Sequence, residues 1–380
     1  MKKRLFTPGP TPVPESVMLR MAEPMIHHRH VEFTQLFARL HENLQYLFQT
    51  TGDVITLTSS GTGAMEATVA NVHSAGEKAL FVNGGKFGER WGEILKVYGV
   101  EPVELTVPWG ESVRIEDIEK ALKEHPSISA VYLTHSETST GAATDVQAIA
   151  RLVRGTSGAL TIVDGITAVG AMELRMKEWD LDIVVTGSQK GLMIPPGLAF
   201  VAVSDRAWER MKASRLPKFY FDLSAARKAL RLNDTPWTPA ISLVIGVDAA
   251  LSMIRKEGLE KVWLRHSKLA ASLRVAADAL GLEVLAKRPS NALTALKIPK
   301  SVDAKQFSSV LKNTYGITAA GGQGELAGKV IRISHLGYYD ELDMITVISA
   351  LEMTLSECGY RFEPGAGIRA AQTAFLAEHS

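Results

Sequence analysis

Short apolar runs alternate with amphipathic stretches through the first half of the chain. The runs Val54–Leu57, Ala79–Val82, Glu101–Leu105, Ala130–Thr134, Leu160–Val163, Ile183–Thr186 and Leu198–Val203 read as strands. Between them, Thr62–His73, Lys86–Tyr98, Ile115–Lys123 and Val146–Arg154 carry a helical period, and helical patterning also begins near Glu15 and runs over Val31–Phe48. Strands alternating with helices predict an α/β architecture: a mostly parallel seven-stranded sheet covered by helices on both faces. The last two strands have no helix between them. Pro195, Pro196 and Gly197 make a tight link there, so one strand is expected to run antiparallel.

A long helix is predicted from about Ser242 to Ile254, continuing past Gly258 into Leu259–Leu280. The pattern then changes to strand Thr294–Ile298, helix Ala304–Asn313, strand Lys329–Ile333 and helix Leu342–Cys358, which reads as a smaller α+β C-terminal domain. The Ala-rich tail after Gly367 reads as a short helix. Prolines at 8, 10, 12 and 14 keep the start of the chain extended. The expected division is an arm over 1–15, a large domain over 16–257 and a small one over 258–380.

Composition narrows the class. The 380 residues are 46% hydrophobic and 22% charged, as in an ordinary globular protein. A net charge of +1 with no long basic run points away from nucleic acid and from an anionic membrane surface. No apolar stretch approaches the roughly 20 residues of a membrane span, and the prolines after Lys2, Lys3 and Arg4 prevent a signal-peptide core. The single cysteine, Cys358, excludes a disulfide framework and fits a reducing compartment, so the cytoplasm is expected.

The candidate chemistry sits at strand ends. Gly187, Ser188, Gln189 and Lys190 follow a strand, and a lysine there is unusual because its charge is costly to desolvate. Desolvation also lowers an amine's pKa, which suits Lys for an imine with a carbonyl cofactor. Asp164 ends the preceding strand. Ser60, Gly61, Thr62 and Gly63 follow a strand and open a helix, a junction that aims backbone N–H groups at an anion. Each has a plain structural reading: a snorkelling lysine, a capping aspartate, a common Gly/Ser turn. Together, in that order at the ends of parallel strands, they form the set that pyridoxal phosphate needs: an anion turn, a carboxylate for the ring nitrogen and a lysine for the aldehyde.

With those residues the chain resembles the class V aminotransferases of pyridoxal-phosphate fold type I, in the alanine–glyoxylate and serine–pyruvate branch, from Thr7–Pro10 to Arg332. The pairing of Gly187–Lys190 with Pro195–Gly197 is the most specific part of the likeness. The resemblance implies that Lys190 holds the cofactor aldehyde and shuttles the proton, while Asp164 keeps the ring nitrogen cationic. It implies that Gln189, Ser60, Gly61 and Thr62 lie at the phosphate. Thr138 would supply a hydroxyl near the ring oxygen or Asp164, and Phe87 would stack on the ring where relatives of this branch often have Trp. Trp91 reads as core. Thr235 and Thr238 would reach the phosphate of a neighbouring subunit, making a homodimer with a shared site. Arg332 would clamp the substrate carboxylate and Gly9 would approach it with bare backbone.

The implied reaction moves an amino group from serine, alanine or aspartate to pyruvate or glyoxylate. Alternatives are another enzyme of the same fold (a 2-aminoethylphosphonate or phosphoserine aminotransferase, or a lyase), a non-enzymatic scaffold subunit, and a nucleotide-binding α/β protein using Ser60–Gly63. Cys358 reads as a core residue near a helix end, so no catalytic cysteine of the desulfurase kind is expected. His27, His28 and His30 have no further ligand near them in sequence and read as structural rather than metal-binding, although a helix could put His27 and His30 on one face.

Overall fold

The computed structural model describes residues 2–377. Its centre is a seven-stranded sheet in the order Asp53–Ser59, Gly197–Val203, Ile183–Gly187, Leu160–Asp164, Ile128–Thr134, Lys78–Asn83, Glu101–Thr106. Gly197–Val203 is antiparallel to both neighbours, as the helix-free link predicts, and the other pairings are parallel. Leu160–Asp164 and Ile183–Gly187 are buried throughout, the state that continuous apolar runs favour at the centre of a covered sheet. Asp164 therefore stands at the carboxyl end of a central strand and Lys190 just beyond the end of its neighbour.

Helix starts follow local chemistry. Asp145, Ser204, Asp222 and Asp303 each accept a backbone N–H in the first turn of their helices, and Asp340 forms a capping box with Asp343. Ser60 instead leaves its side chain out of the cap of helix Gly61–Val72. One expected long helix is two. Ile241–Glu257 ends at Gly258, whose φ of 89° no helix tolerates, and Leu259–Ala279 starts from the same residue. The helical period runs through the break, so only the glycine marks it. Helices Asp205–Met211 and Leu223–Leu230, and the small hairpin of Ser136–Glu137 with Ala142–Ala143, were not expected from the pattern.

The C-terminal part has an antiparallel sheet in the order Leu293–Lys297, Val330–Ser334, Ala320–Gly321, with helices Ala304–Asn313, Glu341–Glu357 and Ala366–Ala377. Arg4–Leu5 pairs in parallel with Ile317–Thr318, so the extended arm begins on this part of the molecule. Cys358 is half-buried at the end of Glu341–Glu357 and packs against the apolar cluster, rather than lying wholly in the core. His27 and His28 stack at 4.8 Å in a turn, and His30 precedes helix Val31–Phe48, so no helix face gathers them.

Candidate active site

Two buried aspartates lie at opposite ends of adjacent strands, Asp164 at a carboxyl end and Asp182 at an amino end, and their surroundings differ. Asp182 is fully buried but bonded to Arg206, to Ser204 Oγ at 3.0 Å and to the Thr161 N–H at 2.8 Å. The carboxylate of Asp164, a residue 3% exposed, accepts only the Ile166 N–H at 2.8 Å among the described residues. Burial pushes its carboxyl up to about 7, and the charge of Glu137 adds to this while Lys190 and Arg90 oppose it. A carboxylate kept dry without a bonded cation is one that a cationic ligand group can claim. Lys190 is equally buried, and burial pushes its amine down to about 8 against the attraction of Asp164. The two groups act on each other electrostatically from adjacent strand ends.

The arm closes over the lysine. Lys190 Nζ donates to Pro8 O at 2.5 Å, Thr11 N donates to Gln189 O at 3.1 Å, and Thr11 Oγ1 donates to Lys190 O at 3.0 Å. Gly9 has φ +148°, and a Cβ there would fall on Lys190 Nζ and Cε. Glycine is required at this point by both backbone and contact.

The Ser60–Thr62 turn has the features of an anion cradle. Gly63 and Ala64 donate to Ser60 O, while among the described residues the N–H groups of Gly61 and Thr62 meet no protein acceptor. Gly187 faces this turn: a Cβ on it would stand 3.5 Å from Gly61 N and 3.0 Å from Gln189 Oε1, so its absence keeps the space open. Gln189 Oε1 is buried without a partner, and an amide flip would present its NH2 there instead. N–H groups left free at a helix start suit an anionic group.

Phe87 lies on helix Lys86–Val97, half-buried, with the Arg90 guanidinium 4.9 Å from its ring centre. Trp91 is wholly buried and packs on Tyr132. The start of this helix is held from the small hairpin. Glu137 accepts the N–H of Phe87 at 3.2 Å, of Gly88 at 2.9 Å and of Ser139 at 3.0 Å, and Ser139 Oγ accepts the N–H of Lys86 at 3.1 Å. The same turn serves two more groups. Thr138 Oγ1 lies 2.6 Å from Thr167 Oγ1, in the turn that follows Asp164, and Thr138 O accepts from Arg332 Nη1 at 2.9 Å. Arg332, 6% exposed, also donates through Nε to Gly321 O at 2.9 Å. Two carbonyls thus fix the guanidinium, and Nη2 has no protein acceptor among the described residues.

Sequence reasoning missed Arg90 and Glu137. The first is an ordinary helix arginine until the fold sets it beside Thr62; the second is a buried carboxylate whose partners on the Phe87 helix lie about fifty positions upstream. Thr235 and Thr238 stand apart from this set. With Tyr220 and Trp237 they line a shallow recess along Thr56–Thr58, and Thr235 Oγ1 bonds to Trp237 O at 2.7 Å. Two larger surface recesses, about 420 and 1080 Å3, lie toward the C-terminal part by Leu264 and Leu342 and by Lys300 and Lys329, and no candidate site residue lines either.

The family described as Aminotransferase class-V matches residues 4–348. The chain belongs to the class V aminotransferases. As a member it is a pyridoxal-phosphate-dependent transaminase of fold type I, and the dry carboxylate, the depressed amine and the open turn fit that cofactor. The chain is 38% identical to the L-aspartate–glyoxylate aminotransferase of Paracoccus denitrificans, over 97% of this chain and 95% of that one. It is 45% identical to a protein of a Synechococcus species named soluble hydrogenase, small subunit, over 97% of each. Among solved structures, an aspartate aminotransferase of subgroup IV from Thermus thermophilus shares 36% identity with a TM-score of 0.88, over 93% of this chain and 99% of that one.

Proposed function

We propose that this aminotransferase moves an amino group from serine, alanine or aspartate to glyoxylate or pyruvate by a ping-pong route. The observation that carries the reading is the buried pair of Asp164 and Lys190, with the amine lowered to about 8. Lys190 would hold the cofactor's aldehyde carbon, Asp164 its ring nitrogen, Phe87 its ring face, and Ser60, Gly61, Thr62 and Gln189 its phosphate. When bound, the cofactor supplies an aldehyde that captures the amine and a ring that accepts electrons. Lys190, whose lowered amine gives up its proton more readily than an exposed lysine, would take the proton from the substrate's Cα and pass it to the cofactor's aldehyde carbon. Arg332, fixed on two carbonyls, orients the substrate carboxylate. Thr138 steadies the turn after Asp164, and Gly9 leaves the amine room to move.

We also propose a homodimer in which Thr235 and Thr238 serve the partner's phosphate, and a cytoplasmic setting. Exposed Phe219 and Tyr220 stacked about Trp237 support a protein contact beside those threonines. Among the described residues, no helix is long and apolar enough to cross a membrane. The division into 1–15, 16–257 and 258–380 is supported by two apolar clusters, one reaching to Trp263 and the other taking up Leu269 and the arm's Phe6, with the seam in the first turns of Leu259–Ala279.

The name of the Synechococcus relative favours a second reading, a subunit of a larger assembly. A scaffold has no need for a dry Asp164 opposite Lys190, and this chain keeps both. The test is a panel of serine, alanine and aspartate against glyoxylate and pyruvate, run with the wild type and K190A. Turnover by wild type with none by K190A supports the transaminase; equal turnover by both removes the mechanism, and none by the wild type favours the scaffold.

A further inference from the structure

Arg90 sits one turn beyond Phe87 on helix Lys86–Val97. Its Nη1 donates to Thr62 Oγ1 at 3.1 Å, and the guanidinium lies 4.9 Å from the Phe87 ring centre. A threonine hydroxyl has one proton and two lone pairs. With Arg90 donating into a lone pair, the Thr62 proton is left to point away from the arginine. Thr62 stands in the first turn of Gly61–Val72, where its own N–H and that of Gly61 meet no protein acceptor among the described residues. A cation bonded to the oxygen also polarises the hydroxyl and makes it a better donor.

We propose that Arg90 is a positioning residue for the cofactor phosphate, acting through Thr62 by holding its hydroxyl as an outward donor beside the free N–H groups of the turn. The flat guanidinium resting on Phe87 keeps the arginine in that geometry, which a lysine ammonium would not reproduce. The inference rests on the reading of Ser60–Thr62 as the phosphate turn.

The experiment measures equilibrium dissociation constants on the apoenzyme by absorbance for two probes: pyridoxal phosphate, and pyridoxal, which has the same aldehyde and ring without the phosphate. The proteins are wild type, R90M, T62V and the double variant. R90M and T62V are each expected to weaken pyridoxal phosphate by about tenfold or more, the usual weight of a charge-assisted hydrogen bond. Pyridoxal is expected to change much less. The double variant should bind pyridoxal phosphate about as well as T62V alone, because Arg90 has nothing to act through once the hydroxyl is gone. Additive losses, or an R90M effect equal for both probes, overturn the proposal. If T62V is phosphate-selective and R90M is not, Arg90 alone loses its role; if T62V is not selective, the phosphate reading of the turn falls with it. Arg90 is half-exposed, so its truncation leaves no buried void, and R90L, which also lacks a donor, gives the same comparison should R90M fail to fold.

Discussion

One missing methyl group at Gly9 decides how Lys190 lies. Its φ of +148° is costly for any side chain, and a Cβ would occupy the space of the lysine amine. G9A is expected to cut kcat by roughly a hundredfold, the scale of a reacting group displaced by about 1 Å. Cofactor absorbance and single-turnover rates would report it, and near-wild-type turnover would contradict the close approach. Arg332 makes a different prediction. R332K keeps the charge but loses the planar fork that two carbonyls hold, so KM for the amino acid should rise about 10- to 100-fold with kcat much less affected. A loss confined to kcat would move Arg332 away from the substrate carboxylate.

Between elements, the deciding contacts cross the sheet's carboxyl edge. Glu137 accepts the first N–H groups of the Phe87 helix and is itself buried. E137Q keeps the shape but turns an NH2 toward N–H donors. It should cost about 1–3 kcal/mol of stability, as an unsatisfied buried group does, read as a lowered urea midpoint, and an unchanged midpoint would sink the capping role. This contact also shows where reading the sequence stopped. Lys190, Asp164 and Arg332 were legible because each follows or interrupts an apolar strand, and a charge there stands out. Glu137 and Arg90 were not, because their partners are brought to them only by the fold. The break at Gly258 was hidden by an unbroken helical period on both sides, whereas the antiparallel Gly197–Val203 was readable from a link too short for a crossover. The threonines at 235 and 238 belong to a surface recess, so their proposed role needs a second chain.

Across the whole molecule, buried histidines tie stability to pH. Burial lowers His266 to about 3 and His135 to about 4, and holds His335 well below the usual range. His266 Nδ1 donates to Val262 O at 2.7 Å while Nε2 accepts the Gly337 N–H at 2.9 Å, so a second ring proton would face a donor. Below the unfolded value of about 6.5, the unfolded chain takes up protons that the folded one refuses. The stability these groups contribute is therefore complete above that value and is lost as pH falls below it, to about 4 for His135 and about 3 for His266. Asp164, raised to about 7, and Glu137, also raised by burial, have the opposite sign in the protein without cofactor, whereas His41 and His73, also lowered by burial, add to the histidine effect. The net loss between pH 6.5 and 5 should be on the order of 1–3 kcal/mol per pH unit. Urea unfolding of the apoenzyme at pH 7.5, 6.5 and 5.5 measures it, and a flat profile would refute the neutral-histidine assignment.

The arm has a consequence for how substrate and amine are kept in step. Ser334, two residues from Arg332, donates to Phe6 O at 2.9 Å, and Pro8 O receives the Lys190 amine. A span of two peptide units therefore works as a ruler between the strand that carries Arg332, the proposed carboxylate clamp, and Lys190, the proposed proton carrier. Adding one residue to that span would spoil their spacing while leaving every side chain of the catalytic set intact.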